Sequence, residues 1–138
     1  MVHDARLGSV VMFVQQLDRS VAFYTEVLGL AVTDRDPTAA LLAGAGGSQL
    51  ILRAMGSNAA HPLGAVGVQY VIWTAASEAD LDRCEQVLKR RGAHRDTRTS
   101  DGSRAVEGRD PDDIVVLIAY PGPDEAPLHR LPIRIYGW

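Results

Sequence analysis

The chain has 138 residues, 46% of them hydrophobic and 22% charged, with a formal net charge of -3. That balance describes one folded domain, excludes a disordered chain, and offers no basic face for nucleic acid or an anionic membrane. A single cysteine excludes an internal disulfide framework and a cysteine-based zinc cluster.

No apolar run approaches the ~20 residues that cross a bilayer, and Met1 to Arg6 lacks an apolar signal core. The expectation is a cytoplasmic protein. Residues Val10 to Val14 are apolar without alternation, as in a strand covered on both faces. Asp18 is the expected cap of a helix in which Ser20, Phe23, Tyr24, Val27 and Leu28 share one face. Gly29 supplies the left-handed residue that ends it. Three strands follow, Leu30 to Thr33, Ala39 to Leu42 and Gln49 to Arg53, separated by Asp36-Pro37 and by the glycine-rich run 44–47. That run lies between strands, so it reads as a connection and not as a phosphate loop at a helix N-terminus.

The same order recurs in looser form from Val68. A strand Val68 to Trp73 leads to Ser77-Glu78-Ala79-Asp80, a capping box with Asp in place of Glu. Leu81, Cys84, Val87 and Leu88 form the buried stripe of the second helix, and Lys89, Arg90 and Arg91 suit its negative end before Gly92. Three further strands are expected around 93–98, 104–107 and 114–120. The fold class is therefore α+β, with two tandem βαβββ modules, about 8–54 and 67–122, in a single domain. Residues 55–66 read as a linker and 123–138 as a C-terminal extension available to the body or a partner chain.

With both halves in view, the chain resembles the vicinal oxygen chelate superfamily of glyoxalase I, extradiol dioxygenases, fosfomycin-resistance and bleomycin-binding proteins. The resemblance rests on residues 17–24, LDRSVAFY, on Val27-Leu28-Gly29-Leu30 and on Arg109-Asp110-Pro111-Asp112, with Asp113 where the family usually has Gly. It implies curled mixed sheets around a cavity with the helices outside, and commonly a homodimer. It also implies divalent-metal ligands near the start of each module's first strand and the middle of its last. Those positions fall on Ser9, Ile51, Gln69 and Leu117. Ile51 and Leu117 carry no donor atom, Ser9 offers only a hydroxyl, and a lone Gln amide does not hold a metal. The expectation is no metal and no cofactor.

If Ser9 and Gln69 point inward, alternation brings Val11, Phe13, Val71 and Trp73 to the cavity face, with Gln49, Ile51, Arg53, Val115, Leu117 and Ala119. Such a wall suits a flat or bulky organic ligand, with Gln69 orienting it and Arg53 meeting an acidic group; close interdigitation of the same side chains without a cavity is the alternative. His3, His94 and His129 read as surface residues, His61 as a loop residue, Asp110, Asp112 and Asp113 as a solvated turn, and Cys84 as a packed thiol.

Three functions follow. The leading one is a metal-independent protein of the bleomycin-resistance type that sequesters a hydrophobic or aromatic natural product or antibiotic, with no assigned catalytic residue. The alternative is a lyase, isomerase or oxygenase without metal or with an unorthodox metal site, using Glu107, His61 or Arg53 at the rim. The third is a non-catalytic regulatory or biosynthetic partner using the C-terminal extension as an interface.

Overall fold

A computed structural model describes residue 5 and residues 7–58, 67–100 and 102–122. Its elements are β1 (Ser9–Val14), α1 (Leu17–Leu28), β2 (Ala31–Arg35), β3 (Ala39–Ala43), β4 (Gln49–Ala54), β5 (Val71–Thr74), α2 (Glu78–Arg90), β6 (His94–Ser100), β7 (Ser103–Arg109) and β8 (Val115–Tyr120). The βαβββ order thus occurs twice. The strands form two four-stranded mixed sheets, ordered β1-β4-β3-β2 and β5-β8-β7-β6. In each, the module's first and last strands pair in parallel and the remaining pairs are antiparallel.

Two compact units emerge, Met1–Val66 with Asp110–Ile114, and Gly67–Arg109 with Val115–Trp138. His3, His61, His129 and the extension 123–138 lie outside the described residues. No helix among the described residues is long and apolar enough to cross a membrane.

In the first unit, α1 buries Leu17, Val21, Phe23, Tyr24 and Val27 against Leu42, Leu50 and Leu52. Phe23 and Tyr24 meet edge to face with ring centroids 5.1 Å apart. Gly29 ends the helix at φ 71°, and its N–H donates to the Thr25 carbonyl.

Asp18 does not cap α1; it sits in the first turn and pairs with Arg35. The N-cap is Gln16, whose side chain makes no capping bond. A carboxylate from far along the chain instead fastens the segment that enters the helix. Asp112 accepts from the Gln15 N–H at 3.3 Å, from Arg19 at 3.1 Å and from the Ser20 hydroxyl at 3.4 Å. A negative charge there also suits the positive end of the helix.

The turn expected to be solvated is accordingly an anchored one. Asp110 is buried, and its Oδ1 accepts from the N–H groups of Asp112 and Ile114 at 2.8 and 2.9 Å. Asp113 adopts φ 64°, the left-handed conformation that glycine takes most readily and that Asp tolerates better than most residues.

In the second unit, α2 starts as the sequence indicates. Ser77 accepts from the Asp80 N–H, and Asp80 returns a bond to the Ala76 N–H at 3.3 Å. Leu81, Cys84, Val87 and Leu88 are buried. Gly108 lies directly under this helix: a Cβ there would stand 2.7 Å from Leu88 Cδ2 and 3.0 Å from the Ala93 carbonyl oxygen. Strand β5 starts at Val71, three residues later than expected from Val68.

Candidate functional site

The sheet faces follow from what each helix touches. In the first sheet the Tyr24 hydroxyl of α1 reaches Met12 Sδ at 4.0 Å, so Val10, Met12 and Val14 face the helix. The other face carries Ser9, Val11 and Phe13, which pair with Gln49, Ile51 and Arg53 of β4. Beyond β4 the rows continue as Ala43, Leu41 and Ala39 of β3. All six first-module residues expected on one face are therefore together: Ser9, Val11, Phe13, Gln49, Ile51 and Arg53. Val11 and Phe13 are 57% and 62% exposed, an apolar pair that the first unit does not bury.

The second sheet corrects half of its expected face. Gly108 and Thr97 face α2, the first by its approach to Leu88 and the second by its hydroxyl bond to Glu85. Gly108 pairs with Val116 and Val116 with Val71, while Thr97 pairs with Val106, Val106 with Ile118 and Ile118 with Trp73. Val71 and Trp73 thus lie on the α2 side. The face away from α2 carries Ile72 beside Leu117 and Thr74 beside Ala119, with Val115 in the same alternation. Leu117 and Val115 keep the face expected of them, and both are buried. Gln69 precedes the strand, and its amide donates to the Gly67 carbonyl at 3.0 Å.

The position matching Ser9 in the second module is therefore Tyr70. Ile72 stands to Leu117 as Val11 stands to Ile51, and Tyr70 lies two residues before Ile72. A sequence signal for this existed. Ser9 precedes the start of α1 by as many residues as Tyr70 precedes the start of α2, and buried Ala75 takes the place of buried Val14.

A residue not placed on this face by the sequence is Glu107. It pairs with Leu117 and is half-buried, with Asp96 of β6 next in the row. Asp96 is held below the usual carboxylate range, first by its bond from Arg98 at 2.6 Å. His94 is not a free surface imidazole: its Nε2 lies 2.8 Å from Thr97 Oγ1, whose proton goes to Glu85.

The residues present do not fit a divalent metal of the kind the resemblance implies. Ser9 and Tyr70 offer hydroxyls, while Ile51 and Leu117, in the central region of their sheets, offer no donor at all. Among the described residues, no group of three or more His, Cys, Asp or Glu side chains converges to hold a metal ion. Cys84 is a buried thiol pushed up to about 11, chiefly by desolvation, and unsuited to nucleophilic work.

Residues 6–118 match the model of the family described as Glyoxalase: Glyoxalase/Bleomycin resistance protein/Dioxygenase superfamily. No curated protein sequence matches the chain. Among solved structures, a glyoxylase/bleomycin resistance protein/dioxygenase domain from Frankia sp. EAN1pec is similar at TM-score 0.69 and 23% identity, covering 88% of this chain and 98% of that one. Lactoylglutathione lyase from Agrobacterium tumefaciens gives 0.65 and 19%, covering 86% and 95%. Fosfomycin resistance protein FosX from Mesorhizobium loti gives 0.65 and 14%, covering 91% and 98%. Identities this low establish a shared fold alone.

Proposed function

The chain belongs to the Glyoxalase/Bleomycin resistance protein/Dioxygenase superfamily, and from that premise we propose that it is a metal-independent binding protein that sequesters a hydrophobic or aromatic natural product or antibiotic. The observation that carries this reading is the exchange of donors for hydrocarbon. Ile51 stands where a metal ligand would be needed, and it is flanked on its face by Val11 and by exposed Phe13. An apolar surface of that kind gains by covering a planar ligand. The reading includes a cytoplasmic homodimer without nucleic-acid or membrane partners.

The test is calorimetric titration with a panel of aromatic natural products. Trp73 lies on the α2 side of its sheet, so its fluorescence is a poor local reporter. Saturable binding to metal-free protein, weakened by Phe13→Ala, is the expected result; no saturable binding across the panel would remove the reading.

One observation favours a second reading, that of a lyase, isomerase or oxygenase. Glu107 is a half-buried carboxylate paired with Leu117 on the face that also carries Ile72, a setting suited to proton transfer. Stoichiometric Fe, Mn, Ni or Zn in protein purified without chelators would favour an enzyme over a metal-independent binder. So would turnover lost in Glu107→Gln.

A further inference from the structure

We infer that the face of the first sheet away from α1 takes an elongated aromatic monoanion, with its acidic group at Arg53 and a neutral polar end at Ser9 and Gln49. This rests on the binding reading above and names the ligand class it requires.

The parallel register of β1 and β4 sorts the face into three rows. Ser9 lies beside Gln49, Val11 beside Ile51 and Phe13 beside Arg53. Alternate residues of a strand are about 6.6 Å apart, so the outer rows stand about 13 Å from each other. The first row is neutral and hydrogen-bonding, the middle row is apolar, and the third joins an aromatic ring to a cation. A ligand lying along the two strands meets these chemistries in order. The middle row is extended by Leu41 of β3, giving the body of the ligand a hydrocarbon floor.

Arg53 is available for the acidic end. Among the described residues its side chain makes no ion pair or hydrogen bond. Asp36 feels its charge only weakly, and that carboxylate is occupied locally, accepting from the Thr38 N–H at 2.7 Å, the Thr38 hydroxyl at 2.8 Å and the Ala39 N–H at 3.0 Å. A guanidinium presents a planar fork that a carboxylate matches with two parallel bonds. The charge at the far end of the ligand must be absent: no cation stands in the Ser9 row, and Asp34, paired with Leu41, opposes a second anion near the middle.

The test uses 4′-hydroxybiphenyl-4-carboxylic acid and its methyl ester, which differ only in the charged group. Isothermal titration of the full chain is expected to give the acid about tenfold tighter binding than the ester, a gap of one decade in Kd. Arg53→Gln should erase that preference, leaving acid and ester to bind alike. Arg53→Lys should restore part of it, since a point charge remains without the fork. Equal binding of acid and ester by the unaltered protein, or a preference that survives Arg53→Gln, would overturn the anionic end and leave the apolar binding reading intact. Failure of both probes to bind a protein that is folded by circular dichroism would overturn the inference and count against the binding reading as well.

Discussion

The Tyr24 hydroxyl of α1 donates to Asp110 Oδ2 over 2.6 Å, joining residues 86 positions apart inside one compact unit. Burial raises both groups. It holds Asp110 above the usual carboxylate range against the bonds from Tyr24, Ile114 and Asp112, and it raises the phenol, with the neighbouring carboxylate adding to the effect.

Tyr24→Phe removes a bond to a buried carboxylate and is expected to cost about 1.5–3 kcal/mol at neutral pH. The sign with pH follows from the raised carboxyl. A group whose folded pKa lies above its unfolded value contributes most stability when protonated and loses it as pH rises through the folded pKa. The Tyr24 bond limits that rise, so its loss raises Asp110 further. The deficit of the variant should therefore be largest at neutral pH and shrink as pH falls through the raised carboxyl. Urea denaturation of both proteins across that window checks it; a pH-independent deficit would contradict the account.

Asp112→Ala removes the carboxylate that fastens the entry to α1 and should destabilise the protein by about 1.5–3 kcal/mol, the range for hydrogen bonds to a charged group. Hydrogen exchange should localise the loss to the first turn, from Leu17 to Ser20. Asp112→Asn, which keeps an acceptor, should retain part of the stability. Equal exchange in all three proteins would show that Gln16 suffices by itself.

Gly108→Ala places a methyl carbon against Leu88 and the Ala93 carbonyl, at 2.7 and 3.0 Å before relaxation. The expected cost is about 1–3 kcal/mol, as for an overpacked core. Leu88→Ala in the same chain should recover part of it, so the pair of substitutions should cost less than their sum. Thermal melts of the four proteins in this cycle give the answer directly.

Cys84 should resist thiol reagents in the native state. Its thiol is buried and raised to about 11, so at pH 8 the reactive thiolate is scarce as well as shielded. Reaction with a disulfide reagent should be slow until denaturant is added, then complete at one equivalent. Rapid native-state labelling would contradict the packing of α2.

Much of the fold was legible because it depends on local patterns. The apolar spacing of α1, Gly29 at its end, the Ser77 and Asp80 cap of α2 and the turns between strands all act within a few residues. They determined the doubled βαβββ order and the face of β1 and β4 that carries Val11, Phe13, Gln49, Ile51 and Arg53. Register in the second module was a different matter. It is set by which strand residues find partners, and a shift of one residue exchanges the faces. Val71 and Trp73 therefore moved to the α2 side while Ile72 came to lie beside Leu117.

The start of α1 shows why sequence ended where it did. Gln16 carries none of the marks of a capping residue, and the carboxylate that fastens the entry to the helix, Asp112, is 96 residues away from it. A local pattern points to Asp18, which instead pairs with Arg35 in the first turn. Sequence by itself determined the elements, their repetition and the absence of donors at Ile51 and Leu117, because these are properties of single residues and short windows. Only tertiary structure decided that Asp110 is buried, that Glu107 shares a face with Leu117, and that Arg53, beside Phe13, is in no ion pair among the described residues. Each of those depends on pairing and burial between distant segments, which no short window contains.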